Sequence, residues 1–496
     1  MNLLFFTNDW IGFLPEFFLI VCINFVLLYA VIYSSSPFFN FPVLANNVSW
    51  LTIQILILIL LLNLNYSSYK AVIFNNALIL DFFGSYVKIF MVLATIFVIL
   101  MSFKYVKAEP VNNFEFPLLI LFSLLGSFLI ISSYDLLSLY LAVELQSFSS
   151  YILSALKRNS EYSAEAGLKY FILGAFSSGF LLFGCSLIYG FTGTTNYKQL
   201  SLILIETDCF DLSNYFVFFG VVLILVAFFF KFSAAPFHLW SPDIYEGSST
   251  PVTAFFAIVP KLGLITFFLR LFFDSLYALF DFWHIFFIVS SMSSMLIGGF
   301  GAIWQVKLKR LLAFSSISHV GYMFIGFTTG SIESIHAVVF YCLIYMLLSI
   351  SSFSLLLMIR NNNTGKKVKY IEDIAIISKT NPFIGLCFVI TFFSIAGIPP
   401  LAGFFSKMFI FLNAINNSMY SLAFVGVITS TISCFYYLRI IQVGFFDQAS
   451  AWISVEKVNK EISIVISLVM MVMVLFFIHP SMIVTLVYNC VTSLCF

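Results

Sequence analysis

Charge is what this sequence lacks most. Of its 496 residues 61% are hydrophobic and only 9% are charged, where soluble domains carry about 25% charged residues. An ordinary soluble domain is therefore excluded. Positive charge is absent from the opening of the chain, whose first lysine or arginine is Lys70. A cleaved import presequence is arginine-rich and a secretory signal begins with positive charge. Neither is expected, and the chain reads as one made in the compartment whose membrane it enters. The eight cysteines are scattered without a C-x-x-C pair, and only Cys490 and Cys495 lie near each other. They read as packed or lipid-facing thiols. There is no G-x-x-x-x-G-K-[ST] loop, no G-x-G-x-x-G after a strand, no H-E-x-x-H and no cysteine cluster. Nothing in the chain is thus built to hold a nucleotide, a hydride carrier, a metal or an iron–sulfur centre. A net charge of +1 gives no footing for nucleic acid.

What the sequence has is apolar runs long enough to cross a hydrocarbon layer of roughly 30 Å. They fall at roughly 13–33, 47–63, 78–102, 116–132, 135–156, 166–190, 214–238, 251–273, 283–304, 310–329, 335–359, 382–412, 418–444 and 463–487. The expected fold is all-α, a polytopic membrane protein of about 14 transmembrane helices. The longest connections, roughly 360–381 and 445–462, are polar and have room for a short surface helix. Charge placement supports the count. Loops after odd-numbered spans carry sixteen lysines and arginines, among them Lys104, Lys157, Lys307, Arg310, Lys369 and Arg439, while loops after even-numbered spans carry only Lys70, Lys198 and Arg270. By the positive-inside rule the odd loops face the matrix or cytoplasm and both termini face the other side.

Four lysines remain inside spans: Lys88, Lys231, Lys261 and Lys407. Each costs at least about 2.5–3.5 kcal/mol at a helix centre. Lys88 lies near the start of span 3 and is expected to lift its head to the interface along its stem. Lys231 comes late in span 7, in FKFSAAPFHLWSPDIYEGSSTP. Pro236 removes the backbone bond to the Phe232 carbonyl, and irregular backbone at this depth is tolerated only beside protein or water. His238 follows the break. A second break, Gly397 with Pro399 and Pro400, interrupts span 12 ahead of Lys407. Interrupted helices five spans apart suggest two inverted five-helix repeats, spans 4–8 and 9–13. The chain then divides into 1–115, 116–275, 276–446 and 447–496. Glu144 in span 5 lies nine residues past Asp135, roughly 13–14 Å deep, with Lys231 as its natural partner; Asp135 itself reads as interfacial. His319 in span 10 falls in line with these groups, whereas His284, His336 and His479 read as interfacial.

Buried Glu, Lys and His in series are the parts of a proton relay. Several stretches, YLAVELQSFSSY, EAGLKYFILGAFSSGFLLFG, FKFSAAPFHLWSPDIYEGSSTPVTAF, LKRLLAFSSISHVGY, FSIAGIPPLAGFFSKMF and the opening LPEFF, closely resemble the antiporter-like membrane subunits of NADH:ubiquinone oxidoreductase, respiratory complex I, in its chain 2 family. The resemblance implies a proton-translocating membrane-arm subunit, coupled to electron transfer from NADH to ubiquinone elsewhere in the complex and holding no cofactor itself. It implies proton-transfer roles for Glu144, Lys231, His238, Lys261, His319 and Lys407. Its partners would be neighbouring antiporter-like and small membrane subunits together with lipid. The location it implies is the mitochondrial inner membrane, with both termini on the intermembrane-space side. The 65 phenylalanines suit an AT-rich organelle genome. The rival readings are a subunit of a multi-subunit cation/proton antiporter and a non-pumping assembly scaffold.

Overall fold

The computed structural model describes residues 9–34, 45–65, 70–108, 113–157, 159–206, 212–359, 368–375, 377–447 and 459–495. In lipid every backbone polar group needs a partner within its own segment, and these apolar runs meet that need as helices. Spans 1 to 11 are Leu14–Tyr33, Ala45–Leu64, Phe82–Lys107, Glu115–Ser132, Leu136–Ser154, Glu161–Thr192, Tyr215–Phe232, Thr250–Ser275, Tyr277–Ile303, Leu308–Thr328 and Ile332–Met358. Span 12 is two halves, Pro382–Ala396 and Ala402–Asn416. Spans 13 and 14 are Tyr420–Phe446 and Lys460–Ile478.

Spans 8, 10 and 11 form the centre. Their most apolar stretches are 94%, 94% and 89% buried, against 28% for span 1 at the rim. Serines inside these helices are satisfied locally: the Ser315, Ser316 and Ser318 hydroxyls each donate to the carbonyl three residues back. Such back-bonding lets polar side chains sit in an apolar bundle without a distant partner.

Three features depart from the sequence reading. A two-stranded hairpin, Ala71–Ile73 paired with Leu78–Leu80, stands before span 3, so this span starts at Phe82 and not at 78. Phe74, Asn75 and Asn76 take positive φ in its turn, and asparagine is among the residues that tolerate that region. Span 14 stops at Ile478, because Pro480 cannot continue the helix. A separate helix, Ser481–Cys495, follows. It buries Val487, Cys490, Val491 and Leu494 while Met482, Leu486 and Tyr488 stay exposed, and it shares a crevice with Phe83, Tyr86 and Phe90 of span 3. A short helix, Tyr197–Glu206, lies between spans 6 and 7. In the connection after span 11, Glu372–Ile374 and Ile377–Thr380 form short helical turns. Arg158, Arg360, Lys366, Lys367 and Lys457 lie outside the described residues.

Two basic residues also sit elsewhere than expected. Lys88 does not reach the interface. It is 5% exposed and forms an ion pair with Glu16 of span 1, itself 1% exposed. Its partner is seventy-two residues away in sequence, a separation that leaves no trace in local pattern. Arg270 is not a loop residue. It is buried near the end of span 8, with Nη2 2.5 Å from Asp81 Oδ1. The even-numbered loops are left with Lys70 and Lys198, which sharpens the charge asymmetry.

Removing one partner from a buried ion pair costs about 3–5 kcal/mol, because the other charge is left uncompensated. Asp81→Ala should therefore lower the amount and thermal stability of the assembled protein. Asp81→Asn with Arg270→Met, which removes both charges, should recover most of the loss in the same assay.

Candidate functional site: a row of buried lysines

The helix of span 7 ends at Phe232, and Ser233 takes a positive φ of 60°. The chain resumes as the helix Trp240–Gly247. Trp240 ties the two pieces together, since its indole Nε1–H donates to the Phe230 carbonyl at 2.8 Å. The same indole stacks on Tyr170 of span 6 at 4.9 Å, and Tyr170 meets the edge of Tyr151 of span 5 at 4.8 Å. The Tyr151 hydroxyl accepts from Lys231 Nζ at 3.2 Å. A Cβ at position 174 would lie 2.1 Å from that hydroxyl, so Gly174 gives Tyr151 its place. Lys231 is thus held by an aromatic train that also holds the break.

Beyond the break, the helix Trp240–Gly247 is pinned by charge. Asp243 receives Lys169 at 3.0 Å and Arg310 at 2.6 Å, and Glu246 pairs with Arg310 at 3.0 Å and with Lys307. Burial pushes the Asp243 carboxyl up, but the hydrogen bonds from Lys169 and Arg310 outweigh it and hold the group below the usual carboxylate range.

Glu144 does not pair directly with Lys231. One of its oxygens receives the Ser147 hydroxyl at 3.4 Å and the other, Oε1, is buried with no hydrogen-bond partner. Ser147 and Tyr151, three and seven residues after Glu144 on the same helix, stand between the two groups in the chain of contacts. The expectation of a direct Glu144–Lys231 ion pair is therefore corrected. Lys231 came late enough in span 7 to find a tyrosine of span 5, not the glutamate, at hydrogen-bond range.

Lys261 is 4% exposed, and its Nζ has no hydrogen-bond partner. It lies 5.8 Å from the centre of the Tyr345 ring. His319 packs on the same tyrosine at 5.3 Å. Its Nδ1 is 2.6 Å from the Tyr341 hydroxyl, and its Nε2 is 3.5 Å from the Tyr437 hydroxyl. On the far side Tyr322 packs edge-on to His319 at 6.1 Å, with Lys407 Nζ 5.4 Å from the Tyr322 ring centre. The order through the centre is therefore Lys261, Tyr345, His319, Tyr322, Lys407. A narrow seam joins His319 to Lys407, lined also by Tyr341, Tyr345 and Ser406.

Lys407 closes the second break. Gly397 ends the first half-helix at φ 88°, a backbone region open to glycine. The chain turns through the two prolines, and Lys407 Nζ donates back to the Ala396 carbonyl at 2.9 Å. A cation at a helix C-terminus faces the negative end of the helix dipole. His238, after the first break, is 9% exposed, and its Nδ1 has no partner.

The structure thus brings Lys261, His319 and Lys407 into one central row, puts Lys231 beside the first break, and leaves Glu144 and His238 flanking it. The sequence reading missed the tyrosines. Tyr151, Tyr322, Tyr341, Tyr345 and Tyr437 supply almost all contacts between the ionisable groups, yet tyrosine is common in this chain and nothing marks these five. Asp135 caps span 5 by accepting from Leu137 N at 3.2 Å, in keeping with an interfacial place. His479 lies at the end of span 14, and His284 and His336 are half-buried near the starts of their helices, bonded to the Phe280 and Val484 carbonyls. Among the described residues no three metal-binding side chains come together.

Fourteen crossings, two broken spans and a row of buried lysines linked by rings and hydroxyls define a membrane subunit of the antiporter-like class. A family described as NADH:quinone oxidoreductase/Mrp antiporter, transmembrane, matches residues 133–433. NADH-ubiquinone oxidoreductase chain 2 of Marchantia polymorpha is 43% identical over 99% of this chain and 100% of its own length. NADH-quinone oxidoreductase subunit N of Pelagibacter ubique is 43% identical over 88% of this chain and 89% of its own. Among solved structures, a chain of respiratory complex I from Thermus thermophilus, at 26% identity, superposes with a TM-score of 0.78 over 95% of this chain and 98% of that one. A chain of the Mrp complex from Dietzia shares the fold at a TM-score of 0.83, with 19% identity over 97% of each chain. The chain belongs to this NADH:quinone oxidoreductase/Mrp antiporter family, on the branch of chain 2 and subunit N.

Tyr151→Phe removes the hydroxyl that Lys231 donates to but keeps the ring stacked against Tyr170. The complex should assemble at its normal level while proton translocation per NADH oxidised falls. Both are read on the same preparation, by native gel and by pH-electrode recording.

Proposed function

We propose that this chain is a proton-translocating subunit of the membrane arm of NADH:ubiquinone oxidoreductase, driven by electron transfer that takes place in other subunits. The observation that carries the reading is the state of the buried polar atoms. Glu144 Oε1, His238 Nδ1 and Lys261 Nζ are each buried without a hydrogen-bond partner. Buried polar groups are nearly always paired with protein or with ordered water, and a buried water takes about three such bonds. Three unsatisfied atoms on three of six ionisable residues therefore support a hydrated axis through the bundle, which is what proton transfer between side chains requires.

In this reading Lys231 is the proton-binding group beside the first break. Glu144 sets its charge balance through the Tyr151 hydroxyl, and His238 offers an exchange point in the broken segment. Lys261 and His319 carry the proton across the centre, with imidazole passing it between its two nitrogens. Lys407 exchanges it with the far side at the second break. The chain brings no redox centre or cofactor to the complex and acts as part of a translocase. Spans 4–8 and 9–13 are its two inverted repeats. It works in the mitochondrial inner membrane with both termini toward the intermembrane space, among neighbouring antiporter-like and small membrane subunits and lipid. The similarity to NADH-ubiquinone oxidoreductase chain 2 of Marchantia polymorpha and Arabidopsis thaliana and the excess of basic residues at the odd-numbered loops over the two left at the even-numbered ones favour this placement.

Lys407 tests the reading because its two duties separate. Arginine keeps the charge on the Ala396 carbonyl but stays protonated, its pKa lying above about 12. Lys407→Arg should assemble and lose pumping, much as Lys407→Ala does. Full proton stoichiometry in an assembled Lys407→Arg complex would show the lysine to be a fixed charge, and the exchange role would fall.

A further inference from the structure

Away from the lysine row, a cavity of about 300 Å³ opens at the lysine-rich face, between the ends of spans 3, 5 and 11 and the starts of spans 6, 8 and 10. Sites for small molecules begin at about this size. Four lysines line it, Lys157, Lys307, Lys309 and Lys369, against a single acidic residue, Glu246. None of the six ionisable residues of the relay lines it.

The fold sets these lysines in place. Lys309 Nζ donates to the Ser248 carbonyl at 2.7 Å, Lys307 pairs with Glu246, and Lys157 Nζ stands 5.4 Å from the centre of the Tyr105 ring. The segment bearing Lys369 is stitched to the start of span 10: Leu308 N donates to the Lys369 carbonyl at 3.1 Å, and Ile371 N to the Val306 carbonyl at 3.0 Å. Spans 8 and 10 begin in the same wall, at Thr250 and Leu308, and neither has a side-chain cap. Their positive dipole ends add to the field of the lysines.

The rest of the lining is of another kind. Leu356 and Leu357, in the last turn of span 11, and Ile359 beyond it give one side an apolar surface. Tyr162 and Tyr370 are exposed, as tyrosines are at a membrane–water boundary. A soluble anion such as inorganic phosphate would use the lysines and leave the leucines without a partner. A phospholipid with an anionic headgroup uses both. Basic pockets between transmembrane helices on the matrix or cytoplasmic side are where such headgroups bind.

We propose that this cavity binds the headgroup of an anionic phospholipid, with Lys157, Lys309 and Lys369 facing the phosphate and Leu356 and Leu357 against the upper part of the acyl chains. The site is separate from the proton relay and does not depend on that reading.

The test uses the assembled complex, delipidated in detergent and given phosphatidylglycerol that carries a diazirine high on one acyl chain. After photolysis the adducts are mapped by peptide mass spectrometry. Adducts are expected on the peptides holding Tyr162 and Leu356. Unlabelled phosphatidylglycerol should displace them, whereas phosphatidylcholine and inorganic phosphate at the same concentration should not. Lys157→Gln with Lys369→Gln should weaken labelling about fivefold for each charge removed, and arginine at both positions should keep it. In the unaltered complex about 1 M salt, where the Debye length is about 3 Å, should weaken labelling too, a reading independent of how any variant folds. Equal displacement by phosphatidylcholine, or labelling indifferent to both salt and the glutamine pair, would overturn the proposal. Displacement by inorganic phosphate would overturn the lipid as occupant and assign the lysines to a free anion. Absence of adducts at these peptides, the result if a neighbouring subunit covers the cavity, would overturn it as well.

Discussion

The whole arrangement depends on one constraint: ammonium groups are placed in a bundle core without carboxylates beside them. Bringing an ion out of water costs several kcal/mol even after relaxation. What Lys261 and Lys407 receive in exchange is a tyrosine face each and, for Lys407, one carbonyl. A cation over an aromatic ring returns about 0.5–2 kcal/mol and a hydrogen bond to a charged group about 1.5–3 kcal/mol. For Lys261, with a ring and no hydrogen bond, the sum falls short. In the proposed reading water supplies the rest, and a core that admits water at a lysine is a core through which a proton can pass. By contrast, Lys88 and Arg270 each have a carboxylate in contact. The two kinds of buried cation in this chain are thus in different electrostatic situations.

The two helix breaks serve this constraint in different ways. At the first, Lys231 precedes the break, and the Trp240–Tyr170–Tyr151 train fixes both the loosened backbone and the lysine. At the second, Lys407 follows the break and binds the freed Ala396 carbonyl itself. The helix Trp240–Gly247 beyond the first break is then held to span 6 and to the start of span 10 by Asp243 and Glu246 through Lys169, Arg310 and Lys307. A change in charge at that lysine-rich face has a direct mechanical link to the break beside Lys231.

Much of this was legible in the sequence, for physical reasons. Apolar run length is set by bilayer thickness, so fourteen crossings could be counted, and the proline and glycine breaks announced themselves inside otherwise continuous runs. Lys231, Lys261 and Lys407 stood out because lysine inside such a run is costly. What stayed hidden depends on long-range contact or on residues common everywhere. The Glu16–Lys88 and Asp81–Arg270 pairs join distant segments, and each basic partner alone passed for an interfacial or loop residue. Tyr151 and Tyr345 are unremarkable in composition and gain meaning only from what they touch. The hairpin before span 3 was merged into the span because its second strand, Leu78–Leu80, is as apolar as the helix after it. The final helix was merged into span 14 although Pro480 marked the boundary.

The central claim is that the unpartnered Lys261 amine carries protons along a hydrated axis. Methionine in its place keeps the length of the stem and removes the only titratable atom. The decisive measurement is the number of protons translocated per NADH oxidised by the assembled Lys261→Met complex in sealed vesicles. The account predicts a complex present at parental abundance, still reducing quinone, with a reduced proton-to-electron ratio. A parental ratio in that complex would contradict it.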